Sequence, residues 1–269
     1  METKNSRKTA LVVVVIFIAF AIGFYWLGKD DNTLSTQTNA EVQEDVLTAP
    51  LSVSQVEALS KLEEQMPVIE TIKKMSPVAY QSLEQIVREY DPSNELLTRQ
   101  MFDQVVASVM KLVIERMPYA TDDSVINFTH KVNDYLKVLL EADPTGQTCF
   151  YSLFPYLRDS AAVIPPQKSH AMLLKQLAAT NDLLISSESN IKQPILTNEE
   201  QMAILTSLQE KLAAQYGKET QLLANLEQAK QKPALTCRIS ISFYDHILAM
   251  PDNKQKAAFL RTLFSSANQ

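Results

Sequence analysis

An uncharged apolar run near the N-terminus constrains this chain more than any other feature. Residues 9–28 read TALVVVVIFIAFAIGFYWLG, without a single charged side chain. A helix of about 20 such residues rises about 30 Å, the thickness of the hydrocarbon core of a bilayer. Tyr25 and Trp26 lie near its end, where interfacial aromatic residues are common. The run predicts one transmembrane helix over residues 9–28, whose partner is the lipid bilayer.

The charges on the two sides of this run predict its orientation. Residues 1–8 carry Lys4, Arg7 and Lys8, whereas Lys29 is followed by two aspartates. Because basic residues stay preferentially on the cytoplasmic side, we predict a cytoplasmic N-terminus and an exported C-terminal part. We expect a bacterial inner membrane with a periplasmic domain. A eukaryotic secretory membrane is the alternative, since insertion there follows the same rules.

A cleaved signal peptide is the other interpretation of the run. Ala19, Phe20 and Ala21 have the small-x-small form that signal peptidase accepts. The apolar residues continue beyond this point to Leu27, whereas the apolar region of a signal peptide is about 7–15 residues long. We therefore expect an uncleaved anchor.

Two further regions follow the predicted anchor. Residues 29–50 are polar and acidic, and they contain too few large apolar side chains to offset the entropy of ordering. We predict a flexible tether there. Residues 51–269 show apolar residues at helical spacing and almost no strand alternation. That pattern predicts one exported, all-α domain, an irregular bundle of about eight helices.

Local signals predict where several of these helices begin and end. Residues 54–57 have the spacing of a capping box, and Pro67 should kink or divide the helix that follows. Thr197 and Glu200 form a second capping box at the start of the longest helical run. Gly217 interrupts the apolar stripe of that run, which predicts a bend or a helix hairpin.

Cys149 and Cys237 are the only cysteines. In an oxidising compartment an even number of cysteines tends to pair, so we predict a disulfide between them. Two buried free thiols are the alternative, because cysteine also behaves as a small apolar residue. No CxxC spacing is present, which favours a structural role over a redox or zinc site. Aromatic residues beside both cysteines predict a core around the bridge, with an apolar ligand pocket as the alternative.

Composition excludes several classes of function. Four glycines in 269 residues are too few and too dispersed for a phosphate loop, a dinucleotide fingerprint or a nucleophile elbow. The net charge of the chain is −6, and the predicted exported part is more acidic still, because the N-terminal segment holds more basic than acidic residues. An acidic domain is a poor match for nucleic acid. We expect no nucleic-acid partner and a protein partner in the cell envelope.

The residues that most often carry catalysis are sparse. His130 and Asp134 are spaced to share a metal ion, but an exposed i, i+4 pair on a helix is the simpler interpretation. His246 follows Asp245, and neighbours on a helix point about 100° apart. We predict no catalytic residue, no cofactor and no metal site, and the oligomeric state is open.

Three functions are compatible with these patterns. The leading expectation is a membrane-anchored, non-catalytic interaction or scaffold protein. The second is a helical carrier or chaperone for a lipid or an apolar peptide. The third is a cell-envelope hydrolase that uses a carboxylate on a helix, for which the pairs Glu63–Glu64 and Glu199–Glu200 are candidates. Solvation of helix surfaces explains both pairs more simply.

Overall fold

The computed structural model describes residues 52–88, 95–157 and 167–265. This part of the chain is helical, as predicted, and contains no strand. The predicted anchor over residues 9–28, the predicted tether and their flanking charged and aromatic residues lie outside the described ranges. Within those ranges, no helix combines the length and the apolar character that crossing a bilayer requires.

Eleven α-helices occur in the described ranges, more than the eight or so predicted. The excess comes from short helices that the apolar spacing does not separate from their neighbours. In chain order the helices are α1 (Val53–Gln65), α2 (Val68–Met75), α3 (Pro77–Arg88), α4 (Glu95–Arg116), α5 (Asp122–Ala142), α6 (Gln147–Leu153), α7 (His170–Ser186), α8 (Asn198–Tyr216), α9 (Leu226–Gln231), α10 (Pro233–Leu248) and α11 (Asn253–Ser265). Short 3-10 segments lie at Met117–Tyr119, Pro155–Leu157, Gln167–Ser169 and Gly217–Leu223.

The packing divides these helices into two compact units, one up to Glu115 and one from Arg116 onwards. In the first unit, α1, α2 and α3 pack against one another. Pro67 separates α1 from α2, as predicted. The buried apolar residues of this unit include Val68, Ile69 and Ile72 of α2, Tyr80, Leu83 and Val87 of α3, and Val105, Val109, Leu112 and Val113 of α4.

The N-terminus of α1 differs from the prediction. Its N-cap is Ser52, whose hydroxyl accepts a hydrogen bond from the backbone of Gln55, while the Gln55 side chain accepts one from the backbone of Ser52. The capping box predicted over residues 54–57 is therefore wrong by two residues. Ser52 and Ser54 stand two positions apart. Ser52 caps the helix, so Val53 and Ser54 lie in its first turn.

Helix α5 is the centre of the second unit. It packs against α6, α7, α10 and α11. Its apolar stripe is buried, with Val125 and Leu139 fully enclosed. Burying a side chain of this size contributes about 1.5–3 kcal/mol, so the stripe adds substantially to the stability of this unit.

The predicted disulfide is present. It joins Cys149 of α6 to Cys237 of α10, across a Cα–Cα distance of 6.1 Å and a separation of 88 residues. Both cysteines are fully buried. Phe150, next to Cys149 in the chain, packs against Phe154 with the ring centroids 5.0 Å apart. Tyr244, on the same helix as Cys237, is also buried. Burial raises the pKa of the Tyr244 hydroxyl. These aromatic residues belong to the core.

A hydrogen-bonded turn leads from α5 into α6. One carboxylate oxygen of Asp143 accepts hydrogen bonds from the backbone and hydroxyl of Thr145, and the other accepts the corresponding pair from Thr148. Partial burial alone would raise the pKa of Asp143, but these bonds outweigh it and hold the pKa below its usual value. Gly146, inside the turn, has φ of 74° and lies against Ala234 at the start of α10.

The end of α8 also agrees with the sequence. The capping box between Thr197 and Glu200 opens this helix, and Tyr216 is its last residue. Gly217 follows with φ of 55°, and the chain continues as a 3-10 segment rather than a longer α-helix. The predicted interruption at Gly217 is confirmed.

Gly146→Ala and Gly217→Ala are a matched pair of substitutions at positive φ. Both introduce backbone strain, which costs about 1–2 kcal/mol. At Gly146 the new methyl group also collides with the Ala234 backbone, whereas at Gly217 no atom lies within 4 Å. We expect urea unfolding of the full chain in detergent to show a loss above about 3 kcal/mol for Gly146→Ala and a clearly smaller loss for Gly217→Ala. Equal losses would contradict the close approach of α6 and α10.

Candidate functional site

His130 and Asp134, whose spacing suggested a metal site, do not belong to a cluster of metal ligands among the described residues. His130 is exposed, and the carboxylate of Asp134 lies 3.7 Å from the ammonium of Lys131. Across the residues that the structure describes, no group of three or more potential metal ligands comes together. Asp134 therefore belongs to a pair on the helix surface, but its partner is Lys131, three residues before it, rather than His130.

Asp245 and His246 do not form a dyad. The Asp245 carboxylate accepts hydrogen bonds from the Asn133 amide at 2.8 Å and from the Lys137 ammonium at 2.6 Å. The Nε2 atom of His246 is buried and has no hydrogen-bond partner. The aspartate fastens α10 to α5 and does not orient the imidazole.

One glutamate of each carboxylate pair has a structural partner. Glu200 closes the capping box of α8, and the hydrogen bonds donated by the Thr197 backbone and hydroxyl lower its pKa. A catalytic acid needs the opposite shift, because it must hold its proton near neutral pH. Glu63 accepts a hydrogen bond from the Tyr80 hydroxyl at 2.9 Å, and the Lys73 ammonium lies 3.5 Å from the same oxygen. Glu63 thus links α1 to α2 and α3.

A shallow cleft opens beside the 3-10 segment that follows Gly217. Its volume is about 250 Å³, and it is lined by Lys218, Glu219, Gln221, Leu222, Gln228 and Lys232. Lys232 and Glu219 form an ion pair of 2.8 Å across it. Five of the six lining residues are polar or charged, so this cleft is unsuited to a lipid or an apolar peptide.

Exposed apolar side chains are concentrated on α7 and on the segment that follows it. Leu174 and Ile185 of α7 are 43% and 47% exposed, and Ile191 and Ile195 beyond the helix are 67% and 47% exposed. No other large apolar residue described from Arg116 onwards is exposed to this degree. We call these four residues the α7 surface. Exposed apolar patches commonly mark binding sites, and these four residues are the candidates for such a site in this unit.

The backbone that carries the α7 surface is held in place. Arg116 donates hydrogen bonds from its guanidinium to the side chain and carbonyl of Ser187, just beyond α7. The backbone N–H of Gln193 donates to the Pro118 carbonyl at 2.8 Å, and that of Leu196 donates to the Thr262 hydroxyl at 3.0 Å. Ile191 and Ile195 are therefore exposed on a fixed scaffold. A preformed surface loses less entropy on binding than a flexible one.

The first unit exposes apolar residues of a different kind. Val53, Val56 and Val78 are exposed, but each is a smaller side chain near the start of α1 or α3. Each exposes less apolar area than a leucine or isoleucine would, and exposed residues of this size are normal on protein surfaces.

Apolar spacing alone did not identify the α7 surface. Helix α7 reads HAMLLKQLAATNDLLIS, which is apolar on most of its circumference. A surface helix needs only one apolar stripe, so the excess of leucine, isoleucine and alanine is the signal that indicates a second face.

Leu174→Ala and Leu183→Ala test which face of α7 is covered. Leu183 is fully buried in the same helix, so its truncation should cost about 2–5 kcal/mol of unfolding free energy. Leu174 is exposed, and its truncation should change stability by less than about 0.5 kcal/mol. Urea unfolding of the full chain in detergent measures both. A large loss for Leu174→Ala would show that this residue is covered and would remove it from the surface.

No protein-family model, curated protein or solved structure matches this chain. The observations that bear on its function are therefore the α7 surface, the polar cleft and the positions of the histidines and carboxylates.

Proposed function

We propose that this protein is a single-pass, membrane-anchored helical protein that binds another protein through the α7 surface and has no catalytic role. One observation carries the proposal: every large apolar residue exposed in the described part of the second unit lies between residues 174 and 195. Burying such residues against a partner removes apolar area from water, at about 25 cal/mol per Å². Their fixed backbone favours binding further.

The proposed location is the inner membrane of a bacterium. Residues 1–8 lie in the cytoplasm, residues 9–28 cross the bilayer, and residues 29–50 tether a periplasmic domain. The uncharged run and the bias of Lys4, Arg7 and Lys8 support this topology. The disulfide supports it independently, because such bonds form and persist mainly in oxidising compartments.

The carrier and hydrolase hypotheses have no comparable support. The cleft beside Gly217 is polar, which disfavours an apolar cargo there. Glu200 is a helix cap with a lowered pKa, which disfavours it as a general acid. The interaction hypothesis, by contrast, accounts for the exposed apolar residues of the α7 surface.

Photo-cross-linking from the α7 surface tests the interaction. A photoreactive amino acid replaces Leu174 or Ile191 in the full-length chain, expressed in its native membrane. Lys211, exposed on α8, is the control position. We expect protein adducts of defined mass from the two surface positions and none from position 211. Repeated failure to recover any protein adduct from either surface position would refute the proposed function.

The state of the two cysteines in the cell tests the location. Free thiols are labelled in denatured, unreduced protein taken directly from cells. In the full-length chain we expect neither Cys149 nor Cys237 to label before reduction, because both are joined in an oxidising compartment. A chain without residues 1–28, retained in the cytoplasm, is the control, and both of its thiols should label. Labelling of both thiols in the full-length chain would contradict export.

A further inference from the structure

The outward side of α7 carries a narrow apolar stripe. Ala171, Leu174, Ala178 and Ile185 are all exposed. At 100° per residue, these four positions fall within an arc of about 60° on the helix circumference. The buried residues of α7, which include Leu183 and Leu184, lie on the opposite side of the helix. The helix therefore has two apolar faces, and only the inner one is covered by the unit that contains it.

Two opposite charges flank the outer stripe on the same side. Lys175 and Asp182 are both exposed and stand seven residues, or two helical turns, apart. Within the described ranges neither takes part in an ion pair. Their spacing is too long for a pair within α7, since such pairs form between residues three or four apart. These charges are available to a partner.

A second copy of α7 fits this arrangement when the two helices run antiparallel. Leu174 then faces Ile185 of the second copy, and the centre of that pair lies between residues 179 and 180. Lys175 faces Asp182, and the centre of that pair lies between residues 178 and 179. The two centres differ by one residue, a rise of about 1.5 Å, so one two-fold axis serves both pairs.

The same axis explains the small residue in the middle of the stripe. Ala178 lies next to it, where a small side chain lets two helix backbones approach closely. In a parallel pair, by contrast, the charged flanks of the two helices lie on opposite sides of the apolar seam, so Lys175 does not meet Asp182 of the second copy. Charges that flank an apolar seam commonly set the orientation of paired helices in this way. Charge complementarity therefore selects the antiparallel pair.

We propose that the α7 helices of two copies of this chain pack antiparallel across a two-fold axis near Ala178 and form a homodimer. This inference rests on the proposed function, because it assigns a second copy as the protein partner of the outer α7 face. One helix pair is a small interface, and small interfaces alone give weak dimers. Confinement of both copies to one membrane raises their effective concentration and compensates for the weakness.

Cysteine trapping of the full-length chain in its membrane tests the dimer. Ala178→Cys places one thiol beside the proposed axis, and copper phenanthroline in air oxidises two neighbouring thiols to a disulfide. Ala213→Cys is the matched control, an exposed alanine on α8. The native cysteines are already paired and contribute no free thiol. We expect a covalent dimer from Ala178→Cys at a yield at least tenfold above that of Ala213→Cys. Equal yields would overturn the proposal.

Charge reversal in the Ala178→Cys background tests the antiparallel orientation. Lys175→Asp or Asp182→Lys alone places like charges opposite each other and should slow trapping about tenfold. The double reversal restores complementarity and should restore the trapping rate. Both positions are exposed, so folding is expected to persist, and a thermal unfolding curve of each variant checks it. Trapping that is unaffected by the single reversals would overturn the antiparallel pair.

A different outcome separates this inference from the proposed function. If position 174 gives photo-adducts only with another protein and Ala178→Cys gives no dimer, the homodimer is refuted while the interaction function stands. If neither experiment gives a product, both proposals are refuted.

Discussion

Burial of α5 on several sides is the constraint on which the second unit depends. Helices α6, α7, α10 and α11 all pack against it. Its two ends are fixed by polar contacts: Asp122 accepts a hydrogen bond from Arg261 at the start, and Asp143 organises the turn after the end. Since α7 lies with its inner face on this fixed helix, the direction of its outer face is determined as well. The exposed stripe is thus a consequence of how the core is packed.

Arg261 shows how strongly the last helix is bound to this centre. Its side chain is 1% exposed, and its guanidinium donates to the Ala120 carbonyl and to the Asp122 carboxylate, both at 2.7 Å. Loss of Asp122 would leave this buried charge with the Ala120 carbonyl but without a carboxylate, which would destabilise the unit. The pair ties α11 to the first turn of α5. It also places an acidic residue at a helix N-terminus, where the helix dipole favours negative charge.

Sequence signals that act over a few residues predicted several helix boundaries, although the N-cap of α1 was predicted two residues too late. Pro67 divided a helix, Thr197 and Glu200 capped one, and Gly217 interrupted one, because each effect arises within a single turn. The disulfide was predictable because only two cysteines exist. The pair between Arg261 and Asp122 was not predictable, because the two residues are 139 positions apart in the chain. The α7 surface escaped prediction for a related reason: spacing shows where apolar residues stand, but burial depends on which neighbours cover them.

The outer face of α7 and the proposed anchor are linked through the local concentration of the chain at a membrane. An exposed apolar stripe on a freely diffusing protein favours nonspecific association, and proteins limit such surfaces in size. A stripe of four residues is too small for strong binding in dilute solution. Two chains held at one membrane surface meet at a far higher effective concentration, so a small stripe is enough for specific pairing there. In the proposed dimer, the charges of Lys175 and Asp182 would supply selectivity that apolar contact alone lacks, because they penalise every register that opposes like charges.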